Sequence, residues 1–152
     1  MRTSVAAVAL IRRQCEGRTL WLAQWNEHWQ HYHFVGGHKR PGESFRECLV
    51  REMAEELHLR EGADYVATGP VAHLEYTAWS RSTEVETAYT MELFEVRLAA
   101  EEARRKVDSD PSNRWLTEEE IAGQRCGDGQ PASETMALLL RKSGVWPEPD
   151  AP

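Results

Sequence analysis

The sequence predicts an α/β protein, in which strands alternate with helices along the chain. Two observations predict this class: short apolar runs rich in β-branched and aromatic residues recur, and between them lie segments with helical periodicity and helix caps. The chain has 152 residues, of which 41% are hydrophobic and 28% are charged, a balance typical of a folded globular protein. We expect residues 1–146 to form a single domain and the Pro-rich segment 147–152 to be a flexible tail.

The N-terminal part of the chain predicts three strands. The apolar runs SVAAVALI (4–11) and RTLWLAQW (18–25) flank a polar break with Gly17, the pattern of a β-hairpin. HYHFVGG (31–37) predicts another short strand that ends in a glycine turn. The first run is too short to span a membrane, and the polar residues RRQCEG follow it at once, so it predicts a buried strand.

A helix follows the glycine turn. Ser44, with Glu47 three positions later, has the pattern of a capping box, which explains Glu47 without any chemistry. We expect the helix to continue to about Leu59.

The C-terminal part predicts two longer strands, 65–79 and 87–98, with the polar loop 80–86 between them. Segment 99–113 is charged and then turn-like, and RWL after it predicts a short strand. Thr117 starts a second capping box with Glu120, so the glutamates of TEEEI are explained as a helix N-terminus. The amphipathic run PASETMALLLRKSG predicts a final helix.

Charge and cysteine content restrict the function. The formal net charge is -7 and the chain lacks a dense Lys/Arg run, which argues against a nucleic-acid polymer as partner. An acidic protein can still bind an anionic small molecule if a metal cation lies between them. Cys15, Cys48 and Cys126 stand far apart without a CxxC pair, so we expect a reducing, cytoplasmic setting and no membrane association.

The helix after the glycine turn collects carboxylates on one side. At about 100° per residue, Glu52, Glu55 and Glu56 fall within an arc of roughly 100°. An adjacent apolar ridge is formed by Leu49, Met53 and Leu57. Like charges four positions apart destabilise an isolated helix, whereas a divalent cation such as Mg²⁺ or Mn²⁺ prefers carboxylate oxygens. The arc therefore predicts a cation site, and a purely solvated helix face is the simpler alternative.

The loop before this helix fits the same site. Gly36, Gly37 and Gly42 permit backbone conformations that let the loop pass close to a metal or a phosphate. Glu43 lies at the start of the helix, and Arg51 lies beside the acidic arc, where it can hold a carboxylate through two hydrogen bonds.

These residues resemble the signature of the Nudix hydrolase family. That signature is a glycine, five free positions, a glutamate, seven free positions and then Arg-Glu-U-x-Glu-Glu-x-Gly-U, where U is bulky and aliphatic. Gly37, Glu43 and REMAEELHL from Arg51 match it over Gly37 to Leu59, with His58 in place of the usual glycine. A histidine there can adopt the left-handed conformation that ends a helix, at some cost in stability.

The resemblance implies a fold, a cofactor and roles for residues. The family's fold is an α/β/α sandwich around a mixed β-sheet, and its enzymes use Mg²⁺, for which Mn²⁺ can substitute. The implied metal ligands are Glu52, Glu55 and Glu56, with contributions from Glu43 and the Gly37 carbonyl. Arg51 is implied to orient the glutamates more than to bind substrate. Relatives are commonly dimers, so a homodimer is a further expectation.

The implied reaction is hydrolysis of a phosphoanhydride bond in a nucleoside diphosphate linked to another group X. One carboxylate must accept the proton of the attacking water, and within the signature we expect Glu52 or Glu55 to do so. Glu84 and Glu86, in the later polar loop, are alternative bases. Nucleoside triphosphates, ADP-ribose, nucleotide sugars and dinucleoside polyphosphates all remain open as substrates.

Aromatic residues are concentrated just before the glycine loop. Trp25, Trp29, Tyr32 and Phe34 could stack a nucleobase there, with Gly36 beside them, and burial in the core is the alternative explanation.

A function of another class is a nucleotide sensor that keeps this fold and does not hydrolyse its ligand. Retention of all the signature carboxylates favours the enzyme, because clustered carboxylates need a cation to offset their repulsion.

Overall fold

The computed structural model describes residues 1–80 and 83–146. Its elements in chain order are β1 Arg2–Cys15, β2 Arg18–Asn26, β3 His31–His33, β4 Gly36–His38, α1 Phe45–Leu57, β5 Tyr65–Ser80, β6 Val85–Leu98, α2 Glu101–Ser109, β7 Asn113–Thr117, α3 Glu118–Gly123 and α4 Glu134–Lys142. The predicted tail at 147–152 lies outside the described residues. Over the described ranges, the longest helix has 13 residues, and none is long and apolar enough to cross a membrane.

The strands form a mixed sheet. Its order is β3-β2-β1-β6-β5, with β4 paired to β1 and β7 paired to β2. The β1–β6 pair is parallel, and the other named pairs are antiparallel. The predicted hairpin is confirmed: β1 and β2 turn through Glu16 and Gly17, both with positive φ, as a two-residue hairpin turn requires.

Helices cover the sheet on both faces, which confirms the α/β/α sandwich. Alternation along β1 explains this arrangement, because successive side chains of a strand point to opposite faces. Ala7, Ala9 and Ile11 join one buried cluster with residues of α1 and α2. Val8 and Leu10 join a second cluster with residues of α3 and α4. The strand is therefore buried on both sides, as its continuous apolar run indicates.

Three details of the sequence-based prediction are wrong. Segment 31–37 is two strands, because β3 pairs with β2 whereas β4 pairs with β1. The loop predicted at 80–86 is shorter, since β5 extends through Ser80 and β6 begins at Val85. Helix α2 lies in the charged segment; only Ala103 and Val107 are buried in it, which is too few apolar residues for a clear helical period.

Candidate active site

The loop between β4 and α1 lies tight against the sheet. Gly36 faces Val8 of β1, and a Cβ on Gly36 would lie 2.4 Å from the Ala7 carbonyl oxygen. Close packing of strands therefore explains this glycine, which sequence reasoning had placed beside a phosphate or substrate. Gly42 has a φ of +83°, a backbone conformation that other residues rarely adopt. A Cβ added at Gly42 would meet no atom within 4 Å, so the turn itself explains this glycine.

Helix α1 begins and ends as its sequence predicts. The Ser44 hydroxyl accepts a hydrogen bond from the Glu47 N–H at 3.0 Å, and the Glu47 carboxylate accepts one from the Ser44 N–H at 2.9 Å. Both bonds of the capping box are present, so Glu47 belongs to the helix cap. At the other end, His58 adopts the left-handed conformation with φ 59° that was expected from the missing glycine.

Glu52 lies directly over Gly37. A Cβ on Gly37 would lie 2.2 Å from one Glu52 carboxylate oxygen and 2.8 Å from the other, so only glycine leaves room for this carboxylate. Glu52 is 7% exposed, although it is ionisable. Burial raises the pKa of Glu52, while its hydrogen bond from Arg51 acts in the opposite direction.

Arg51 connects three carboxylates. Its guanidinium donates two hydrogen bonds to Glu43, at 2.6 Å from Nε and 3.0 Å from Nη2. Nη1 lies 2.9 Å from Glu52 Oε1 and 3.4 Å from Glu55 Oε2. Nη2 also donates to the His38 carbonyl at 2.9 Å, which ties the helix to β4. Arg51 thus contacts one carboxylate of the loop and two carboxylates within one turn of α1.

Glu43 is fully engaged by this network. Besides its two bonds from Arg51, it accepts a hydrogen bond from the Arg40 N–H at 2.9 Å. The hydrogen bonds from Arg51, followed by the one from Arg40, lower the pKa of Glu43 to about 2. The carboxylate therefore holds the Arg51 guanidinium in place through two of its three hydrogen bonds.

Glu55 and Glu56 face solvent on the same helix. Glu55 lies between two guanidinium groups, because Arg40 Nη2 is 3.6 Å from its second oxygen. Glu56 is exposed. Burial lowers the pKa of His33, while the hydrogen bond with the Phe34 carbonyl and then the charge of Glu56 act in the opposite direction. Glu52 and Glu55 of the predicted arc are therefore joined through Arg51.

The donor set fits a hard divalent cation. Carboxylates of α1 and the Gly37 carbonyl offer oxygen ligands, which Mg²⁺ prefers. The Gly37 carbonyl already accepts a weak contact from Cys48 Sγ at 3.4 Å, which leaves its second lone pair. Within residues 1–80 and 83–146, no three His, Cys, Asp or Glu side chains stand together as a metal-binding group in this conformation. Arg51 lies where these carboxylates come closest.

The predicted aromatic residues differ in exposure. Phe34 is 5% exposed and packs edge-on against Trp21, so the alternative explanation, burial in the core, fits this ring. Tyr32 is also buried, against the half-buried Trp25, with ring centroids 5.1 Å apart. Trp29 is 45% exposed and is the ring of this group most open to a ligand.

Glu84 and Glu86 lie at the turn between β5 and β6. Glu84 has φ 54° in the turn, and Glu86 is a strand residue opposite Trp79, not a loop residue as predicted. Gly37 is opposite Ala7 on β1, whereas Thr87 is opposite Arg2, five residues further along. At about 3.3 Å per residue, the backbone of Glu86 is roughly 16–20 Å along the sheet from Gly37.

Two contacts of the site were not predicted from sequence. Gln24 of β2 donates to the Glu56 carbonyl at 3.1 Å and lies opposite His33 of β3, a pairing that no local pattern specifies. Arg40 contacts both Glu43 and Glu55 from the loop, and it stands at a free position of the signature, which specifies no residue there.

Fold and site together define a class of protein: an α/β/α sandwich whose loop–helix segment gathers carboxylates around one arginine beside a glycine. The family model of the NUDIX domain matches residues 2–139, and the chain belongs to the Nudix family. It is accordingly a hydrolase that acts on pyrophosphate bonds. No curated protein matches the sequence.

Solved structures share the fold over most of the chain. An Ap4A hydrolase from C. elegans has a TM-score of 0.62 and 18% identity, covering 94% of this chain and 97% of its own. The NUDIX domain of NrtR from Shewanella oneidensis, complexed with ADP ribose, has a TM-score of 0.62 and 8% identity, covering 95% and 88%. A NUDIX hydrolase from Nitrosomonas europaea has a TM-score of 0.60 and 18% identity, covering 95% and 89%. At these identities the likeness establishes the fold alone.

Proposed function

We propose that the chain is a divalent-cation-dependent pyrophosphohydrolase that cleaves a nucleoside diphosphate linked to another group X. The observation that supports this most is the placement of Glu52, which is buried over Gly37 and bonded to Arg51 at 2.9 Å. Arg51 also contacts two further carboxylates, those of Glu43 and Glu55. Burying a charged carboxylate costs free energy, and a helix with a purely structural role would have no need of it. It is well suited to a site that receives a cation and a phosphate.

Glu52, Glu55 and Glu56 would hold the cation, together with the Gly37 carbonyl, and Mg²⁺ or Mn²⁺ matches these oxygen ligands. When bound, Mg²⁺ neutralises phosphate oxygens and lowers the pKa of a coordinated water. Glu43 contributes mainly by holding Arg51 in this proposal, because three of its roughly four acceptor positions are taken by Arg51 and the Arg40 N–H.

Glu52 is our first choice for the residue that accepts the proton of the attacking water. Its burial raises its pKa, and a base is most effective when its pKa approaches the working pH. Glu55 has a more exposed carboxylate, shared between Arg51 and Arg40. Glu84 and Glu86 remain alternatives from the β5–β6 turn.

The substrate is a small nucleotide in this proposal. Trp29, with the half-buried Trp25 near it in sequence, offers an aromatic surface on which a nucleobase can stack. Nucleoside triphosphates, ADP-ribose and nucleotide sugars all contain the phosphoanhydride bond that the site would cleave.

The test is hydrolysis of a panel of nucleoside triphosphates, ADP-ribose, nucleotide sugars and dinucleoside polyphosphates, with and without Mg²⁺ or Mn²⁺. Wild type should hydrolyse at least one member only with the cation, and Glu56→Gln should lose most of this activity. Glu47→Gln is the matched control, because Glu47 lies on the same helix and is bonded to the Ser44 N–H in the helix cap. Equal activity in Glu56→Gln and wild type would refute the assigned site.

A non-hydrolytic nucleotide-binding regulator is the second candidate. It is favoured by the structural neighbour NrtR, whose NUDIX domain was crystallised with ADP ribose. The same panel separates the two functions. Tight binding of a nucleotide without turnover of any member by wild type would replace the enzyme with the regulator.

A further inference from the structure

A cavity of about 160 Å³ opens on the face of the sheet that α3 and α4 cover. It lies apart from the candidate active site: Leu10 of the cavity packs with the α3 and α4 cluster, whereas Ala7, opposite Gly37, packs with the α1 cluster. The cavity is lined by Leu10, Arg12, Trp21, Val71, Glu95 and Val145. None of these six residues belongs to the loop and helix that carry the clustered carboxylates.

The cavity wall includes a buried hydrogen-bond donor without an acceptor. Trp21 is 2% exposed, and its indole N–H has no hydrogen-bond partner among the residues that the structure describes. Buried N–H groups are rarely left unpaired in folded proteins, because the loss of their bonds to water is unfavourable. A water molecule needs about two to four polar partners, and Leu10, Val71 and Val145 offer it only apolar side chains. The indole therefore suits an acceptor on a molecule that is otherwise apolar.

A β-bulge places Val71 in this cavity. Pro70 is opposite Phe94 and Ala72 is opposite Leu93, so Val71 is an extra residue in β5. In a regular strand Val71 and Ala72 would point to opposite faces of the sheet. Here Ala72 packs against the α3 and α4 cluster and Val71 lines the cavity on that same face. The bulge thus directs an apolar side chain, 39% exposed, to the opening of the cavity.

The turn after α4 supplies the second apolar wall. Gly144 has a φ of +79°, and its N–H donates to the Arg141 carbonyl at 3.1 Å. The Trp146 N–H donates to the Leu140 carbonyl at 3.0 Å, so the chain turns back onto the end of the helix. Val145, between these two residues, is held at the cavity by the backbone hydrogen bonds on either side of it.

Arg12 and Glu95 form the polar side of the cavity. Arg12 Nη2 donates to Glu95 Oε1 at 3.0 Å, and the two side chains are 45% and 42% exposed, so they lie towards solvent. The Arg12 guanidinium also lies 5.8 Å from the centroid of the Trp21 ring. The two opposite charges neutralise each other, and a charged ligand would meet a like charge from one of them. The lining therefore favours a neutral ligand.

We propose that this cavity binds a small neutral ring compound with one hydrogen-bond acceptor, such as an aromatic ketone. An engineered protein cavity of about 150 Å³ binds benzene, so a single six-membered ring matches the volume. The ring contacts Leu10, Val71 and Val145, and the acceptor receives the Trp21 N–H. This site is independent of the proposed hydrolysis, because it shares no residue with the candidate active site.

Nuclear magnetic resonance of the ¹⁵N-labelled protein tests the proposal at the atom concerned. The chain has six tryptophans, so the indole N–H region is simple, and the Trp21 cross-peak is assigned by its connectivity to the Trp21 backbone. Acetophenone is the probe. It should move the Trp21 indole proton downfield in a saturable manner, because a carbonyl acceptor deshields the N–H that it binds. The compound α-methylstyrene has a CH₂ group in place of the ketone oxygen and should bind about tenfold more weakly.

Two substitutions on β5 locate the binding. Val71→Phe fills the opening and should weaken acetophenone binding at least about tenfold, because an added ring takes the space of the ligand. Val66→Phe is the matched control, since Val66 is 43% exposed on the same strand and does not line the cavity. It should leave binding unchanged. Both residues are exposed valines, so the variants should fold, which melting curves check.

Three results would overturn the proposal. The first is the absence of a saturable shift of the Trp21 indole peak with acetophenone. The second is equal binding by wild type and a folded Val71→Phe variant, which would place the ligand elsewhere. The third is equal affinity for α-methylstyrene and acetophenone, which would remove the indole N–H from recognition. Hydrolysis of nucleotides is measured separately, and none of these results would affect it.

Discussion

Gly37→Ala is a minimal change that tests the placement of the candidate base. The new Cβ would lie 2.2 Å, 2.4 Å and 2.8 Å from the three atoms of the Glu52 carboxylate group. Contacts below 3.0 Å are essentially never tolerated at a Cβ, so the carboxylate must move by roughly 1 Å or more. The backbone of β4 is held by its pairing with β1, so the glutamate side chain is the part that moves.

The expected result is a large loss of activity with a small loss of stability. A misplacement of about 1 Å at a catalytic group costs on the order of 100-fold in rate. The clashing atoms are the end of a flexible side chain, so we expect the free energy of unfolding to fall by only about 1 kcal/mol. Moving Glu52 also breaks its 2.9 Å bond with Arg51.

The assay is kcat/KM on a hydrolysed nucleotide with saturating Mg²⁺, combined with thermal melting of the metal-free protein. Gly69→Ala is the control, because a Cβ there meets open space and the residue lacks a positive φ. Gly36→Ala should show the opposite pattern, a large loss of stability. Its Cβ would lie 2.4 Å from a backbone oxygen, which cannot move aside as a side chain can. A Gly37→Ala enzyme with nearly wild-type kcat/KM would refute the role given to the position of Glu52.

Three further predictions concern the same segment. Arg51→Lys keeps the charge but loses the two-bond contact with Glu43, so kcat/KM should fall about tenfold. Both kcat/KM and the melting temperature are measured, and an unchanged kcat/KM would contradict the orienting role. Because the pKa of Glu43 falls from 4.5 to about 2 on folding, its stabilising effect should be present above pH 4.5 and be lost as pH falls towards 2. Melting curves of wild type and Glu43→Gln without metal should therefore converge at acid pH, and a constant difference would exclude this linkage. His58→Gly should raise the melting temperature by about 2 °C, because the residue has φ 59°, and a decrease would show that the histidine makes an unrecognised contact.

Local patterns predicted the parts of the site that depend on spacing along the chain. The capping box at Ser44 and the place of Arg51 beside the acidic arc follow from positions on one loop and helix, whereas Glu43 as its two-bond partner was not specified. The reason for Gly37 was not predicted, because the contact with Glu52 depends on how β4 packs beneath α1.

Contacts that depend on strand pairing could not be predicted from the sequence. The sequence left both substrate contact and core burial open for Phe34, and the packing against Trp21 that favours burial depends on how the strands meet. His33 lies opposite Gln24 through strand pairing alone. Helix α2 was not predicted, because it buries only two residues, Ala103 and Val107. Two apolar residues in a charged segment give too weak a hydrophobic periodicity to indicate a helix.

Direct measurement of cation binding tests the central claim most closely, namely that the α1 carboxylates form a divalent-cation site. Titration of the protein with Mn²⁺, followed by the electron paramagnetic resonance signal of free Mn²⁺, counts bound ions without requiring a known substrate. Wild type should bind Mn²⁺, Mg²⁺ should compete for it, and the triple variant Glu52→Gln, Glu55→Gln, Glu56→Gln should lose the binding. Equal Mn²⁺ binding by wild type and a folded triple variant would contradict the assignment of the site.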